Sequence, residues 1–261
     1  MTLILHELKQ GRTALILWTA IIAGMLGVCV LIYPEMAGQM DALSGMFADM
    51  GSFSAAFGMD QVNFGEFSGY FAVECGNVLG LGGGFFAALL GISALAKEEK
   101  EHTAEFLLTH PISRMAVVRQ KLLAVWLQIV ILNLVVIAVT LVLAMAVGET
   151  PEAKSFALLF LAYFLLQIEL SAICFGLSAW IARGGLGIGL GAAALLYFLN
   201  IIANLSPDTE FLKYITPFSY AEGADILKNQ CLEPGYLAVG LVLFLLGIGA
   251  AFFRYSKKDI A

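Results

Sequence analysis

Residues 122–147 read LLAVWLQIVILNLVVIAVTLVLAMAV, an apolar run that contains no charged side chain. A helix needs roughly 20 apolar residues to cross the ~30 Å hydrocarbon layer of a bilayer, because each residue adds about 1.5 Å. Runs of similar length recur along the chain. Together they predict an all-α integral membrane protein with six transmembrane helices, at about residues 13–33, 69–96, 120–147, 155–182, 185–205 and 236–253.

The composition also favours a bilayer environment. Of the 261 residues, 60% are hydrophobic and 13% are charged, and the mean hydropathy is +0.89. A soluble domain carries roughly twice that share of charged residues. No segment outside the spans is long enough to bury its own core, so residues 1–261 are predicted to form a single transmembrane domain. The net charge of −6 argues against a nucleic-acid partner, which requires clustered Lys and Arg.

The distribution of positive charge predicts the orientation. A cytoplasmic N-terminus places eleven Lys and Arg residues inside and three outside. Because cytoplasmic loops carry the excess of positive charge in membrane proteins, both termini are predicted to be cytoplasmic. The outer segments are acidic and are predicted to face water. In the last of them the acidic residues are Asp208, Glu210, Glu222, Asp225 and Glu233.

The loop between the second and third spans has the distinctive sequence AKEEKEHTAEFLLTHPISR at residues 96–114. Strong helix formers lead into it and Pro111 ends the helix, which predicts a short helix projecting from the membrane. A solvated linker has no need of Phe106, Leu107 and Leu108, so these residues indicate contact with a groove on a partner protein. The alternative is an amphipathic helix lying on the lipid surface.

This loop resembles the signature of ABC (ATP-binding cassette) type-2 permeases: an acidic residue, Gly-Thr, an acidic residue, Leu-Leu, Pro-Ile-Ser-Arg and a following Lys. His102 stands where the family usually has Gly. The resemblance extends along the chain through HELK at residues 6–9, a long first outer loop, YITPFSY at residues 214–220 and a short basic C-terminal tail.

The resemblance implies a coupling helix between spans 2 and 3 that seats on an ATPase subunit, and an elbow helix at residues 1–12 on the inner membrane surface. The residues it places at the ATPase contact are Glu98, Glu101, Thr103, Glu105, Phe106, Leu107 and Leu108, with Arg114 fixing the turn. We further expect a second copy or a homologous permease as partner, contact with membrane lipid, export as the direction of transport, and location in the plasma membrane of a prokaryote.

No GxxxxGK[ST] phosphate-binding loop occurs in the sequence. We therefore expect that a partner ATPase uses ATP and Mg²⁺ and that this chain binds no cofactor. His6-Glu7 lacks the second His of a zinc protease motif, and no GxSxG is present. We therefore predict no catalytic and no metal-binding residue. The alternative functions are a stand-alone secondary transporter and a membrane scaffold without an ATPase partner.

Glycines inside the spans are candidates for close helix packing. Gly76, Gly80 and Gly84 recur every fourth residue in span 2. This spacing lets helix backbones approach closely, either within the chain or at a subunit interface.

Glu169 lies near the middle of span 4, and no Lys or Arg occupies the core of any span. An ionised lone acid is costly there, so we expect Glu169 to be protonated or hydrogen-bonded, either for transport or as a structural clasp. The polar residues considered as its partners are Gln128, Asn133 and Asn200. Glu74 is a further acid, nearer the outer face.

Methionines are concentrated in the first outer loop, which carries five of the nine: Met36, Met40, Met46, Met50 and Met59. Thioethers bind Cu(I), which makes copper one hypothesis for this loop. The alternative is an amphipathic segment that lies on the membrane or covers the outer mouth.

Overall fold

The computed structural model describes residues 2–39, 50, 51, 54, 56–59, 61–97, 113–181 and 185–257. Six helical segments in these ranges are long and apolar enough to cross a membrane. The helices are α1 (Thr2–Ala37), α2 (Phe67–Cys75), α3 (Gly83–Ala94), α4 (Arg114–Ala146), α5 (Ala153–Ser178), α6 (Leu186–Leu205), α7 (Gly223–Asn229) and α8 (Pro234–Lys257). Span 1 is α1, span 2 joins α2 to α3, and spans 3 to 6 are α4, α5, α6 and α8.

Each predicted span corresponds to one of these six spans, and the largest differences are at two N-terminal ends. Span 3 begins at Arg114 rather than at residue 120, and the helix of span 1 begins at Thr2 rather than at residue 13. Hydropathy marks only the apolar part of a helix, whereas backbone hydrogen bonding continues through charged residues. With 36 residues, α1 is about 54 Å long and therefore extends beyond a ~30 Å hydrocarbon layer.

Span 2 contains a π-helical stretch, Gly76–Gly82, between its two α-helical halves. The helix is continuous, and its winding changes where glycine is most frequent. Glycine allows the wider turn because no Cβ restricts the backbone. Short π-helical stretches are frequent at functional sites, which makes this part of span 2 of interest.

The glycine face of span 2 packs directly on span 4. A Cβ at Gly76 would lie 3.0 Å from the Tyr163 hydroxyl, and one at Gly80 would lie 3.1 Å from Cε1 of the same ring. A Cβ at Gly84 would lie 3.1 Å from Leu170 Cδ1. In the structure these three glycines therefore serve close packing inside the chain.

Span 4 is the central helix and packs against spans 2, 3, 5 and 6, while span 1 packs mainly on span 3. Leu166, Leu170 and Phe175 of span 4 are fully buried. Spans 1, 3, 5 and 6 instead leave large apolar side chains exposed, among them Ile16, Met25, Leu134, Val142, Leu195, Phe198, Leu245 and Leu246. Such surfaces suit contact with lipid or with another membrane helix.

The chain between spans 5 and 6 folds back into the helix bundle. It forms two 3₁₀ helices, Pro207–Tyr214 and Ser219–Ala221, followed by α7. We call residues 215–229 the return segment. Phe218, Tyr220 and Ile226 of this segment are buried, and the Thr216 hydroxyl donates to the Leu196 carbonyl at 2.8 Å.

The prediction that the whole outer segment faces water is therefore wrong for residues 216–221 of the return segment, which are all buried. The aromatic and small residues of the return segment pack on spans 2, 4 and 5, whereas Asp208 and Glu210 are exposed. We call the end of the bundle that carries residues 61–66, 147–152 and 206–233 the distal end. The proximal end carries the helix termini at residues 2, 94, 114, 178, 186 and 257.

Candidate functional site

Polar side chains buried between the spans define the candidate site, because such groups are costly in a membrane and usually mark function. Three such clusters are present among the described residues. They are the Asn133–Gln167 pair, the Glu169–Tyr220 pair, and Glu222 with Asn200 and Asn204.

Glu169 of span 4 is 4% exposed, and its Oε2 accepts a 2.8 Å hydrogen bond from the Tyr220 hydroxyl. Burial, and then the charge of Glu169 and this hydrogen bond, raise the pKa of Tyr220 well above its usual value. Tyr220 therefore keeps its proton and acts as the donor. Gly240 of span 6 faces the same carboxyl, since a Cβ there would overlap Oε2.

The partner of Glu169 is thus none of the three amides considered from the sequence. Gln128 donates to the Ala124 carbonyl at 3.3 Å, Asn133 donates to Gln167 at 2.6 Å, and Asn200 donates to Glu222. The reason is tertiary, because the return segment brings Tyr220 to the middle of span 4. A tyrosine 51 positions away has no helical spacing that would reveal the pair.

An apolar cleft lies beside Glu169, between spans 4 and 6. It has a volume of about 220 Å³ and is lined by Leu165, Ile168, Leu237, Leu241 and Phe244 as well as by Glu169 and Tyr220. Glu169 Oε1 is buried and has no hydrogen-bond partner among the described residues. One carboxyl oxygen is therefore held by Tyr220, while the other is unsatisfied next to an apolar cleft.

Span 3 is linked to span 4 by the Asn133–Gln167 hydrogen bond, and both side chains are buried. Nearby, an apolar groove of about 460 Å³ is lined by Asn133 and by apolar residues such as Phe156, Phe160 and Phe164. Gln128 faces span 1 instead, because its side chain fills the space that a Cβ on Gly11 would need.

Glu222 sits at the start of α7 with its Oε2 between two amides of span 5. Asn200 Nδ2 and Asn204 Nδ2 each donate to this oxygen at 3.1 Å. Burial raises the pKa of Glu222, the two amide hydrogen bonds lower it, Asp225 raises it and Lys213 lowers it. The pKa of Glu222 is raised overall, because the effect of burial exceeds that of the two amide hydrogen bonds.

Glu74 of span 2, the remaining intramembrane candidate, is half-buried near the distal end. The thiol of Cys29 in span 1 is a weak donor and lies 3.6 Å from Glu74 Oε2, which accepts its hydrogen bond. Among the described residues no group of three His, Cys, Asp or Glu side chains could hold a metal ion. Of the loop methionines, Met40 and Met46 lie outside the described residues, and copper stays a hypothesis.

The proposed coupling residues Glu98, Glu101, Thr103, Glu105, Phe106, Leu107 and Leu108 all lie outside the described residues. Arg114 is described and begins span 3, directly after Ser113, whose hydroxyl accepts a hydrogen bond from the Ala116 amide at 3.2 Å. This N-cap fixes where the loop ends and the span starts.

Sequence reasoning missed Tyr163, Gln167, Asn204, Tyr220 and Glu222. Tyr220 belongs to the YITPFSY stretch and Glu222 to the outer acidic residues, but no local pattern assigns either residue to a site. The available signal was the apolar and aromatic character of residues 215–226, which a water-facing loop does not need.

Six membrane-length helices around buried polar clusters define a polytopic membrane protein. The sequence profile of the ABC-2 family transporter proteins matches residues 1–260, and the chain belongs to this family. It is a membrane permease of that family. A comparison with curated proteins finds no match.

Proposed function

We propose that this chain is the membrane-spanning subunit of an ATP-driven exporter and that a separate ATPase hydrolyses ATP for it with Mg²⁺. The observation that carries the proposal is the family match over residues 1–260. Two features of the sequence support it: the AKEEKEHTAEFLLTHPISR loop, and a chain without a phosphate-binding loop of its own. The chain pairs with a second copy or a homologous permease in the plasma membrane of a prokaryote.

Residues 97–113 are the proposed contact with the ATPase, and the connections of this loop support such a role. Span 2 ends at Ala94 and span 3 begins at Arg114, so a force on the loop acts on both helices. Span 2 packs on span 4 through its glycines, and span 3 is hydrogen-bonded to span 4 through Asn133. Dimerisation of the ATPase subunits would then shift packed helices as rigid bodies.

The test is the double variant Phe106→Asp/Leu107→Asp. Charge placed against an apolar groove costs several kcal/mol when it is unpaired, so co-purified ATPase should fall more than ~10-fold. Membrane insertion should be unchanged because the spans are intact. The matched control is Glu98→Gln/Glu99→Gln, which should retain the ATPase, since charges at a wet rim contribute little.

Two results would reject the proposal. If the double Asp variant retains the ATPase and its permease-dependent hydrolysis, the loop is a lipid-surface helix. If no ATPase co-purifies with the wild-type chain from its native membrane, the stand-alone carrier becomes the better description.

A further inference from the structure

A small polar chamber lies where span 2, span 4, span 5 and the return segment meet at the distal end. Its volume is about 50 Å³, and its polar lining residues are Asn77, Tyr163, Tyr197, Asn200 and Glu222. A water molecule needs roughly 10–15 Å³ of such space, so the chamber holds only a few water molecules or ions of similar size. The π-helical stretch of span 2 contributes Gly76 and Asn77 to its wall.

Two of the lining side chains are buried and present an oxygen without a partner. Tyr163 is 1% exposed and Asn200 is 6% exposed. Neither the Tyr163 hydroxyl nor Asn200 Oδ1 has a hydrogen-bond partner among the described residues. Asn200 Nδ2 already donates to Glu222, so Oδ1 is the group that remains available. An unsatisfied buried oxygen is destabilising, and here two of them border the same chamber.

Glu222 lines both this chamber and a larger cavity, which we call the vestibule. The vestibule has a volume of about 260 Å³, and Gln61, Glu210, Lys213 and Asp225 line it together with Glu222. Three of these residues are acids and one is a base, so the vestibule favours the approach of cations. Tyr163 and Asn200 line the chamber but not the vestibule, so Glu222 is the acid that the two cavities share.

We propose that the chamber binds a small monovalent cation through the Glu222 carboxylate, Asn200 Oδ1 and the Tyr163 hydroxyl oxygen. Oxygen donors of this kind suit hard cations rather than soft metals. One carboxylate balances one positive charge, and a cation beside Glu222 offsets the cost of burying its charged form. The chemistry fits an alkali metal ion and equally a primary ammonium group.

The experiment uses the full chain purified into lipid nanodiscs, which makes it independent of any ATPase. Thermal unfolding is followed in NaCl and in N-methylglucamine chloride at equal ionic strength, with methylammonium chloride as a third arm. A ligand at ten times its dissociation constant should raise the unfolding temperature by roughly 3–6 °C, and this rise should saturate with ligand concentration. A rise with Na⁺ alone identifies an alkali ion, and one with methylammonium identifies an ammonium group.

Two variants tie the effect to the chamber. Glu222→Gln should abolish the salt-specific rise, whereas Glu210→Gln, which removes a vestibule carboxylate outside the chamber, should keep it. Should Glu222→Gln fail to fold, Tyr163→Phe is the second variant, because it removes a single oxygen and keeps the ring that packs on Gly80. The cation concentration that gives half of the maximal stabilisation, the cation midpoint, should rise about 5-fold or more.

An identical transition in all three salts would overturn the proposal, because the chamber would then hold only water. An unchanged cation midpoint in both Glu222→Gln and Tyr163→Phe would overturn it as well, since the stabilising ion would be bound elsewhere.

Discussion

Lys121 of span 3 and Glu7 of span 1 form an ion pair of 2.8 Å between Nζ and Oε1, although 114 positions separate them. Lys121 is only 1% exposed and Glu7 is 14% exposed. The pair joins the N-terminal part of α1 to the beginning of the helix that leaves the 97–113 loop. It therefore ties span 1 to the segment on which the proposed ATPase would act.

The ion pair should contribute strongly to stability. Lys121→Met leaves a largely buried carboxylate without this partner, so we expect a loss of about 3 kcal/mol in the free energy of unfolding. The double variant Lys121→Met/Glu7→Gln should lose less than the sum of the two single variants, because no unpaired charge remains. Unfolding of the purified protein in nanodiscs measures both quantities.

The control for this prediction is Lys213→Met. Its pair with Glu210 has an N–O distance of 3.9 Å, and the Glu210 side chain is 60% exposed. An exposed pair contributes about 0–1 kcal/mol, so stability should hardly change. Equal losses of stability in Lys121→Met and Lys213→Met would show that the buried pair contributes no more to the free energy of unfolding than the exposed pair.

The Glu169–Tyr220 hydrogen bond predicts an order of activity among variants. Glu169→Gln keeps an oxygen that accepts from Tyr220 and matches the size of the acid, so assembly and most transport should remain. Glu169→Leu removes the acceptor and leaves the buried Tyr220 hydroxyl unsatisfied, which should impair both. Tyr220→Phe should fall between them, because it deletes the donor and retains the ring.

The measurements for this series are the yield of folded protein and permease-dependent ATP hydrolysis with the co-purified ATPase. Equal values for wild type, Glu169→Gln and Glu169→Leu would show that the Glu169 carboxyl is needed neither for folding nor for transport. The cleft between spans 4 and 6 would then no longer be a candidate functional site.

The orientation predicted from the positive charges can be tested by labelling intact cells with a thiol reagent that cannot cross the membrane. Cys231 is exposed at the distal end, whereas Cys75 and Cys174 are buried and Cys29 is partly buried. With the other three cysteines replaced, Cys231 should be labelled from outside.

The matching probes for the opposite side are Lys100→Cys and Ser256→Cys in a background without native cysteines. Both should be labelled only after the membrane is permeabilised. Labelling of either position in intact cells would reverse the orientation and place the 97–113 loop outside.

Much of the architecture was predictable from sequence because the bilayer imposes a simple rule. A helix must remain apolar for about 20 residues to cross, and the runs around 122–147 satisfy this without reference to any other part of the chain. The glycine spacing in span 2 likewise indicated a close approach, but not that Tyr163 of span 4 is the residue approached.

By itself, the sequence determined the number and approximate position of the spans and, through the 96–114 loop, the family resemblance that the profile match confirms. Only the tertiary structure decided which polar groups meet: Glu169 with Tyr220, Glu222 with two amides of span 5, and Lys121 with Glu7. The physical reason is that span formation depends on local apolarity and backbone hydrogen bonding. A pair of buried polar side chains depends instead on how distant segments fold back, and no local periodicity records that.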